Sequence, residues 1–411
     1  MIQNANNLEL CPKCKGRGWC GKPCPIIQNI KQFLPKSEMH FSGSSPPEIF
    51  VGRYGYPNIS TGILSPQGHE EAEKFSSSEL WLKNNLKINE ILELRGKLIY
   101  GQFKSNIKDA RLNKTFVSVM QEISMSKNPV SAEFFLKKPM NFNINLDRSV
   151  PLIGNPAPLK HIRLEENPKV EKKVEYLTSD NEVKAVDGIK ELYNSNISIE
   201  QIIKLFSAGM LGIKERRIFV PTRWSITAVD DSVSKELLRK IKTYSEISEI
   251  RVFHSEYIGN HYEFILLPDK FSFEVIEAKI PGSVWNPVGK IEYFMSDYET
   301  FFGRKSYAEN VTGGYYSNRL ALCEYLEKIK RQASVLVLRE ARPDYWAPLG
   351  VGILREVSRK AFQEIPEIFN SPSEAMIEIQ KRLVLPIEKF KEKSEILKNY
   401  GKQKKLSSFF K

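Results

Sequence analysis

Four of the chain's five cysteines lie within residues 11–24, and this cluster constrains the fold more than any other feature of the 411-residue sequence. The stretch CPKCKGRGWCGKPC has the spacing C-x2-C-x5-C-x3-C, formed by Cys11, Cys14, Cys20 and Cys24. Zn²⁺ binds four thiolates at tetrahedral corners. Short loops let paired cysteines converge, and the intervening glycines allow tight turns. The pattern predicts a small N-terminal zinc knuckle with a structural metal ion.

Two other chemistries would use the same cysteines. An iron–sulfur cluster takes the same four thiolates, and two local disulfides would join the residues in pairs. The N-terminal sequence MIQNANNLEL lacks the basic start and apolar run of a signal peptide. The clustering also disfavours a secreted disulfide framework. We therefore expect zinc and a cytoplasmic protein. The fifth cysteine, Cys323, falls in an apolar helical pattern and is expected to be a buried thiol.

The chain is strongly basic. It has 61 lysines and arginines against 49 aspartates and glutamates, which gives a formal net charge of +12. This excess favours a polyanionic partner, and nucleic acid is the first expectation. A solvated basic surface without such a partner is the alternative. No stretch approaches the ~18 uninterrupted apolar residues of a membrane span, so no membrane contact is expected.

Strand and helix patterns mix without a regular β-α-β order, which predicts the α+β class. We expect a mixed or antiparallel sheet core with surrounding helices, the zinc knuckle and a flexible C-terminal peptide. The expected parts are residues 1–35 for the cysteine module, 36–160 and 161–385 for the two parts of the core, and 386–411 for a terminal helix and tail.

Local signals place elements along the chain. In the first half they predict a strand and turn at 49–66, a helix over 79–100, an irregular segment over 137–160, and a helix pair over 182–211 with Ser198 as the second N-cap. In the second half they predict a strand at RIFVPTRWSIT before a helix from about Ser234, and then a hairpin turning at Gly259-Asn260. A helix and a strand are predicted within 315–341. A capped helix start at Ser371 and a last helix from about Ile387 to Asn399 complete the second half.

The stretch VTGGYYSNR has the composition of a phosphate-binding helix start. Gly313 and Gly314 precede a helix whose first turns carry Tyr315, Tyr316 and Arg319. Free N–H groups at a helix N-terminus attract phosphate, and an arginine one turn later would clamp it. A simple turn is the alternative interpretation.

The stretch VGRYGYP has similar ingredients. Arg53 would pair with phosphate while Tyr54 and Tyr56 stack on bases. These rings would equally serve to fill a core.

The predicted hairpin HSEYIGNHYE carries two of the chain's five histidines. Alternate residues of a strand share a face, so His254 and Glu256 are expected to lie opposite His261 and Glu263 across the turn. That arrangement would suit a metal site or general acid–base chemistry. An exposed, merely polar strand face is the alternative.

Asp230 and Asp231 form an acidic pair that would bind Mg²⁺ as a nuclease pair does, although helix capping near Ser232 is favoured. Further charges follow an apolar strand in LREARPDY, where α/β folds often place sites, and surface ion pairs explain them equally well. No P-loop, dinucleotide fingerprint, nucleophile elbow or H-E-x-x-H motif is present. The sequence therefore identifies no reaction and leaves open whether the protein is an enzyme.

The chain ends in QKKLSSFFK, where Gln403, Leu406, Phe409 and Phe410 follow the spacing Q-x-x-L-x-x-F-F. One helical or 3₁₀ turn brings the three apolar side chains to one side. The pattern resembles the PCNA-interacting peptide (PIP box) of proteins that dock on the DNA sliding clamp. The resemblance implies that the apolar side chains enter a pocket of the clamp, with the flanking lysines steering association.

The cysteine cluster, the tail and the body segments PPEIFVGRYGYP, PTRWSIT and GGYYSNRLA together resemble the archaeal Nre family of DNA repair proteins. The resemblance covers essentially the whole chain and implies a role in DNA damage repair with the clamp. It assigns no catalytic residue.

The leading interpretation is thus a repair factor that PCNA recruits to DNA, associated with the nucleoid, whose basic body contacts DNA or nucleotide. The alternatives are a nuclease or nucleotide-dependent transferase, and an RNA-binding protein.

Overall fold

The computed structural model describes residues 10–14, 16–46, 48–69, 71–140, 142 and 146–401. The chain divides into two compact units. The N-terminal unit runs to Val233 and includes Ala347–Ile353, and the C-terminal unit comprises Ser234–Trp346 and the chain from Leu354 onward.

The N-terminal unit contains a six-stranded sheet and short helices. Its strands are β1 (His40–Ser45), β2 (Glu48–Val51), β3 (Asn58–Ser65), β4 (Ile99–Asn106), β5 (Val130–Leu136) and β6 (Asn155–Leu164). Its helices are α1 (Leu10–Cys14), α2 (Pro25–Ile30), α3 (Ser78–Lys83), α4 (Ile88–Gly96), α5 (Thr115–Met125), α6 (Lys172–Ser179), α7 (Ala185–Asn194), α8 (Ile199–Ser207) and the first part of α9 (Thr222–Ile241). Turns of 3₁₀ helix lie at Lys31–Phe33, Ala72–Phe75, Ile107–Arg111 and Lys214–Arg216.

The first sheet has the order β1-β5-β6-β4-β3-β2. Neighbouring strands are antiparallel except β4 and β6, which run parallel. Buried residues alternate along β5, so one face of this strand packs on the core. At the centre, a Cβ on Gly62 would lie 2.0 Å from the carbonyl oxygen of Gly101. Only glycine therefore allows β3 and β4 to approach this closely.

The C-terminal unit contains the second sheet. Its strands are β7 (Ile250–Tyr257), β8 (Asn260–Leu267), β9 (Ser272–Lys279), β10 (Tyr293–Glu299), β11 (Ser334–Ala341) and β12 (Glu367–Phe369). Its helices are the rest of α9, α10 (Gly313–Ile329), most of α11 (Val351–Ala361), α12 (Pro372–Gln380), α13 (Glu388–Lys391) and α14 (Glu395–Asn399).

The second sheet has the order β10-β9-β11-β8-β7-β12, with β9 and β11 parallel and the other pairs antiparallel. Every residue of β8 and β11 is buried, because both faces of the sheet centre are covered. This explains why ILL and VLVL are continuous apolar runs rather than alternating ones. One core cluster joins these strands to α12, α13 and α14. The α+β prediction is confirmed, with two mixed sheets in place of one core.

Several local predictions agree with the structure. Ser198 accepts a hydrogen bond from the N–H of Gln201 at the start of α8, and Ser371 accepts one from Glu374 at the start of α12. The predicted hairpin forms, but its two-residue turn is Ile258-Gly259, with φ of 42° and 76°, one residue earlier than the predicted Gly259-Asn260. Both values are left-handed, as a type I′ turn requires. Cys323 is fully buried in α10.

Other boundaries differ from the predictions. The stretch 79–100 contains two helices and the start of β4, and β6 begins inside the segment predicted to be irregular. The last predicted helix is split into α13 and α14. The largest difference is α9, which begins at Thr222 rather than near Ser234, so TRWSIT is helical and not a strand.

Among the described residues, no helix combines the length and the apolar character that crossing a bilayer requires.

Candidate functional site

Exposed aromatic rings and arginines meet on the N-terminal unit, where the β2–β3 turn lies beside the start of α9. The group consists of Arg53, Tyr54, Tyr56, Arg223 and Trp224, and we call it the aromatic–basic surface. The ring centroids of Tyr56 and Trp224 are 5.5 Å apart. Tyr54, Tyr56 and Trp224 are 73%, 45% and 46% exposed. Rings of this size are usually buried, so three exposed together indicate a contact surface.

Backbone interactions fix the two segments that carry these side chains. The N–H of Val51, the last residue of β2, donates to the Thr222 hydroxyl at 2.9 Å. Thr222 is the first residue of α9, so this bond holds the helix start against the strand end. In the turn itself, Gly55 has φ of 81° and accepts a hydrogen bond from the N–H of Asn58. The rings therefore project from two tied segments rather than from a free loop.

The two arginines of this surface share one carboxylate. Asp147 Oδ2 lies 3.9 Å from Arg53 and 3.5 Å from Arg223. Neither distance is short enough for a good hydrogen bond. The guanidinium of Arg53 also lies 5.3 Å from the ring centre of Tyr54. Both arginines are thus oriented and keep donors for a phosphate, while the rings offer faces for bases.

The sequence indicates three of the five residues of this surface. Composition makes Arg53, Tyr54 and Tyr56 candidates, whereas the strand predicted at RIFVPTRWSIT includes Arg223 and Trp224. The signal for a helix was Pro221, whose carbonyl oxygen accepts bonds from Trp224 and Ser225 N–H at the first turn. Proline often marks a helix start, and the twenty residues of α9 contain neither glycine nor proline.

The predicted phosphate clamp at the start of α10 lies in the interior of the C-terminal unit. Gly313, Gly314, Tyr315 and Arg319 are all buried. Arg319 Nη1 donates to both oxygens of Glu299, each at 3.1 Å. A phosphate would have to displace this carboxylate. The arrangement therefore differs from the predicted clamp, because a residue of β10 already neutralises the arginine.

A second carboxylate, that of Asp297, accepts hydrogen bonds from the loop that precedes α10. Asp297 Oδ2 accepts hydrogen bonds from the backbone N–H groups of Val311 at 2.7 Å and Asn310 at 3.1 Å. Burial raises the pKa of Asp297, against the opposing effect of these bonds and of Arg304. The backbone N–H groups of Asn310 and Val311, which a ligand phosphate would need, thus already donate to Asp297.

The hairpin register places the predicted histidines and glutamates opposite one another. His254 pairs with Glu263, and Glu256 pairs with His261. The buried His261 ring contacts Glu256 at 3.2 Å through Nδ1 and Glu263 at 2.9 Å through Nε2. His254 remains exposed. Whether these residues act in catalysis stays a prediction.

Two arginines from outside the hairpin bind its glutamates. Arg382 donates to both oxygens of Glu263, at 2.8 and 3.0 Å, and also binds Glu367. Arg342 bridges Glu256 and Glu340. Bidentate arginine–carboxylate pairs are strong and geometrically specific. This network holds the segment around Arg382 to the sheet, a structural role that the sequence did not suggest.

A buried ion cluster lies where the parallel strands β9 and β11 end. Glu277 Oε1 is 2.5 Å from Arg339 Nη1, and its other oxygen contacts Lys279. Arg339 Nη2 donates to Asn260 Oδ1 at 2.5 Å. These side chains are almost wholly buried. A Cβ on Gly314 would lie 3.0 Å from Glu277 Oε1, so α10 covers the cluster closely.

Asp230 and Asp231 lie in the interior of α9, not at a helix start. Successive helical residues point about 100° apart and do not face each other. Asp230 is fully buried whereas Asp231 is partly exposed. The helix therefore provides neither the paired carboxylates that a magnesium site needs nor the capping role that was favoured.

The four clustered cysteines are free thiols in the structure, and no disulfide joins them. Burial and the nearby Cys24, Cys20 and Cys14 raise the pKa of Cys11 to about 12. The N–H of Trp19 points at Cys14 Sγ from 3.3 Å, a contact that would stabilise a thiolate. The donor set is thus suited to zinc, which binds thiolates. Within the described residues, however, no three His, Cys, Asp or Glu side chains are arranged as a metal-binding group. The zinc knuckle stays a prediction.

The four residues of the tail pattern, Gln403, Leu406, Phe409 and Phe410, lie outside the described residues. Gly401, the last described residue, has φ of 75° and follows α14 where the sequence predicted a helix stop.

Comparison with known proteins identifies the family. Residues 19–286 match the family described as archaeal Nre, N-terminal, and residues 299–409 match archaeal Nre, C-terminal. DNA repair protein NreB of Archaeoglobus fulgidus is 36% identical over 400 residues, which cover 97% of this chain and 99% of the relative. DNA repair protein NreA of the same organism is 36% identical over 403 residues, covering 97% and 98%.

A third relative comes from another organism. DNA repair protein NreA of Haloferax volcanii is 36% identical over 350 residues, which cover 82% of this chain and 83% of the relative. No solved structure matches the chain. The two family matches and the nearly full-length relatives show that this chain belongs to the archaeal Nre family.

Proposed function

We propose that this protein is a DNA repair factor that binds unpaired DNA through the aromatic–basic surface and is held at the sliding clamp PCNA by its C-terminal tail. The observation that carries the DNA contact is the exposed ring pair of Tyr56 and Trp224 beside Tyr54, with two arginines that share the carboxylate of Asp147 at ion-pairing distance. Its relatives are named DNA repair proteins.

The chemistry of this surface favours bases that are not paired. An aromatic face stacks on any exposed base, whereas a duplex hides its base faces inside the helix. The arginines would meanwhile bind the backbone phosphates. The net charge of +12 adds long-range attraction to DNA. Single-stranded or locally opened DNA is therefore the expected ligand, as is common at sites of damage.

The experiment compares the full-length protein with Tyr54→Ala/Trp224→Ala by fluorescence anisotropy on labelled single-stranded DNA, duplex DNA and RNA of one sequence. Stacking contributes roughly 1–3 kcal/mol per base, so each ring that stacks is expected to cost about 5- to 150-fold in affinity. Tyr176→Ala is the matched control, because Tyr176 is 57% exposed on the same unit and has a lysine, Lys173, 5.2 Å from its ring centre. Equal losses in control and variant would refute the assignment, and preferential RNA binding would support the RNA alternative.

The arginines are tested by salt dependence. Each phosphate contact on single-stranded DNA adds about 0.7 to the slope of log affinity against log salt concentration. Arg53→Gln/Arg223→Gln is thus expected to reduce the slope by about 1.4 if each arginine binds one phosphate. An unchanged slope would mean that neither arginine contacts the backbone.

The tail provides recruitment in this proposal. Burying one leucine and two phenylalanines in a clamp pocket supplies roughly 1.5–3 kcal/mol per side chain before ordering costs. Titration with purified PCNA should show binding that is lost in Phe409→Ala/Phe410→Ala. Unchanged affinity in that variant would refute the tail assignment without affecting the DNA-binding test.

The cysteine module completes the proposal as a structural zinc site held by Cys11, Cys14, Cys20 and Cys24. A bound zinc would cross-link the four cysteines in tetrahedral geometry and thereby stabilise this short segment. Metal analysis of the purified protein should find about one zinc per chain. Iron and sulfide in its place would support the iron–sulfur alternative.

A further inference from the structure

The C-terminal unit has an aromatic cavity beside the point where the described chain ends. Its volume is about 700 Å³, and five of its lining residues are aromatic. These residues are Phe271, Tyr298, Phe301, Phe302 and Tyr400. We call this cavity the root pocket. Its size falls within the roughly 300–1,000 Å³ of typical ligand pockets.

The walls of the root pocket are held by buried interactions. Glu274 of β9 accepts hydrogen bonds from the Ser394 hydroxyl at 2.6 Å and from the N–H of Ile396 at 3.0 Å. These bonds fix the start of α14, and Tyr400 directly follows the end of that helix. The hydroxyls of Ser272 and Ser334 are 2.6 Å apart in the lining. Hydrogen bonds among side chains and backbone of the unit therefore hold the walls of the root pocket.

One wall presents a bare aromatic ring to solvent. Phe302 is 93% exposed and lies in a turn closed by a hydrogen bond from the N–H of Gly303 to the carbonyl oxygen of Thr300. Its ring centroid is 5.8 Å from that of Phe301. Phe302 thus extends the aromatic lining of the root pocket to its solvent-exposed edge.

We propose that the root pocket is the resting site of the chain's own tail, with Leu406, Phe409 and Phe410 as its occupants. Tyr400 lines the pocket and is followed after one residue by the tail, Lys402–Lys411. An extended chain spans about 3.3 Å per residue, so the six residues from Tyr400 to Leu406 allow about 20 Å. Three apolar side chains are thus tethered at high effective concentration beside a cavity with five aromatic lining residues.

The charges that line the root pocket do not favour one occupant over another. One carboxylate, Asp269, and one ammonium group, Lys270, line the pocket. The tail itself is basic, with lysines at 402, 404, 405 and 411. Apolar contact and covalent proximity therefore select the tail over a free partner.

This inference rests on the proposed clamp function, because the same three side chains cannot occupy the root pocket and the clamp together. Docking would regulate recruitment. The apparent dissociation constant for the clamp rises by the inverse of the fraction of free tail, so a tail docked nine-tenths of the time weakens binding about tenfold. A ligand or DNA-induced change that opened the root pocket would release the tail.

The first test does not involve the clamp. Hydrogen–deuterium exchange is measured in the full-length protein and in its variant Leu406→Ala/Phe409→Ala/Phe410→Ala. The compared quantity is the amide exchange rate of the segments 269–272 and 298–302. Faster exchange in the variant is the expected result, because these segments lose their cover. Equal exchange in the two proteins would overturn the proposal. Protection that disappears on dilution would also overturn it, since it would assign the pocket to the tail of a second copy.

The second test measures affinity for purified PCNA. Phe301→Ala/Phe302→Ala should bind the clamp several-fold more tightly than the unmodified protein, because its tail is released. Ile365→Ala is the matched control on the same unit, since Ile365 is also 93% exposed but does not line the pocket. Unchanged clamp affinity in the phenylalanine variant would overturn the regulatory role. Absence of clamp binding in every variant would instead refute the proposed recruitment, and the exchange result would still decide whether the tail docks.

Discussion

Glu277→Gln tests whether the buried ion cluster stabilises the C-terminal unit or is merely tolerated there. Glutamine keeps the shape of the side chain, which matters because α10 covers the carboxylate closely at Gly314. It removes the negative charge that Arg339 and Lys279 share. The amide nitrogen would also face two cations that offer only donors. The substitution thus leaves buried positive charge without its partner.

The magnitude follows from the charge state of Glu277. Burial disfavours ionisation, yet Arg339 and Lys279 lower the pKa of Glu277 from 4.5 to about 2. A difference of this size corresponds to about 3 kcal/mol. Removal of one partner from a buried ion pair costs about 3–5 kcal/mol, which agrees with this value. Glu277→Gln should therefore destabilise the unit by about 3 kcal/mol at neutral pH.

The pH dependence gives a second, independent signature. Because the pKa of Glu277 is lowered in the folded protein, its contribution is complete above about pH 4.5 and is lost as the pH falls towards 2. The unmodified protein should lose this increment of stability in that window. Glu277→Gln should lack it, because glutamine does not titrate.

Native-state hydrogen exchange is the suitable assay, because a chain with two units need not unfold in one step. The free energy of opening is measured at β9 and β11, which carry the cluster. Glu378→Gln is the matched control, since Glu378 forms a surface ion pair with Lys381 at 2.6 Å, and no change is expected there. Unaltered opening of β9 and β11 in Glu277→Gln would show that the carboxylate is not the charged partner that the geometry indicates.

Three further outcomes are expected from single features. Cys11→Ser/Cys14→Ser should lose its bound zinc, measured by metal analysis, and a folded protein that never held metal would refute the knuckle. Glu274→Ala should speed amide exchange throughout α14, because the bonds to Ser394 and Ile396 are lost; unchanged exchange would show that α14 does not depend on this carboxylate. Ser371→Ala should destabilise the start of α12 by about 0.5–2 kcal/mol through loss of its N-cap, seen as faster exchange there.

Some features were predictable because their causes are local. The caps at Ser198 and Ser371 depend on a hydroxyl and a backbone N–H three residues later. The hairpin depends on Gly259 adopting a left-handed conformation, although the turn lies at Ile258-Gly259 and not at the predicted Gly259-Asn260. The buried thiol Cys323 follows from the period of apolar residues around it. Each signal lies within a few residues of its effect.

The start of α9 shows where local signals fail. Phenylalanine, valine, tryptophan and threonine favour strands, so RIFVPTRWSIT resembled one. In the structure, Thr222 binds the end of β2, and Pro221 directly precedes the helix and accepts the hydrogen bonds of its first turn. Contacts with a strand 171 residues away thus outweigh the intrinsic preference. This error hid Arg223 and Trp224, two of the five residues of the aromatic–basic surface.

The amino-acid sequence by itself determined the α+β class, the family, the helix caps and the cysteine and tail patterns, because these depend on residues close together in the chain. Only the tertiary structure decided which charges remain available. It paired Arg319 with Glu299 and Arg382 with Glu263, and it left Arg53 and Arg223 at the surface beside exposed rings. The physical reason is that burial and ion pairing depend on strand order and register, which bring together residues far apart in sequence.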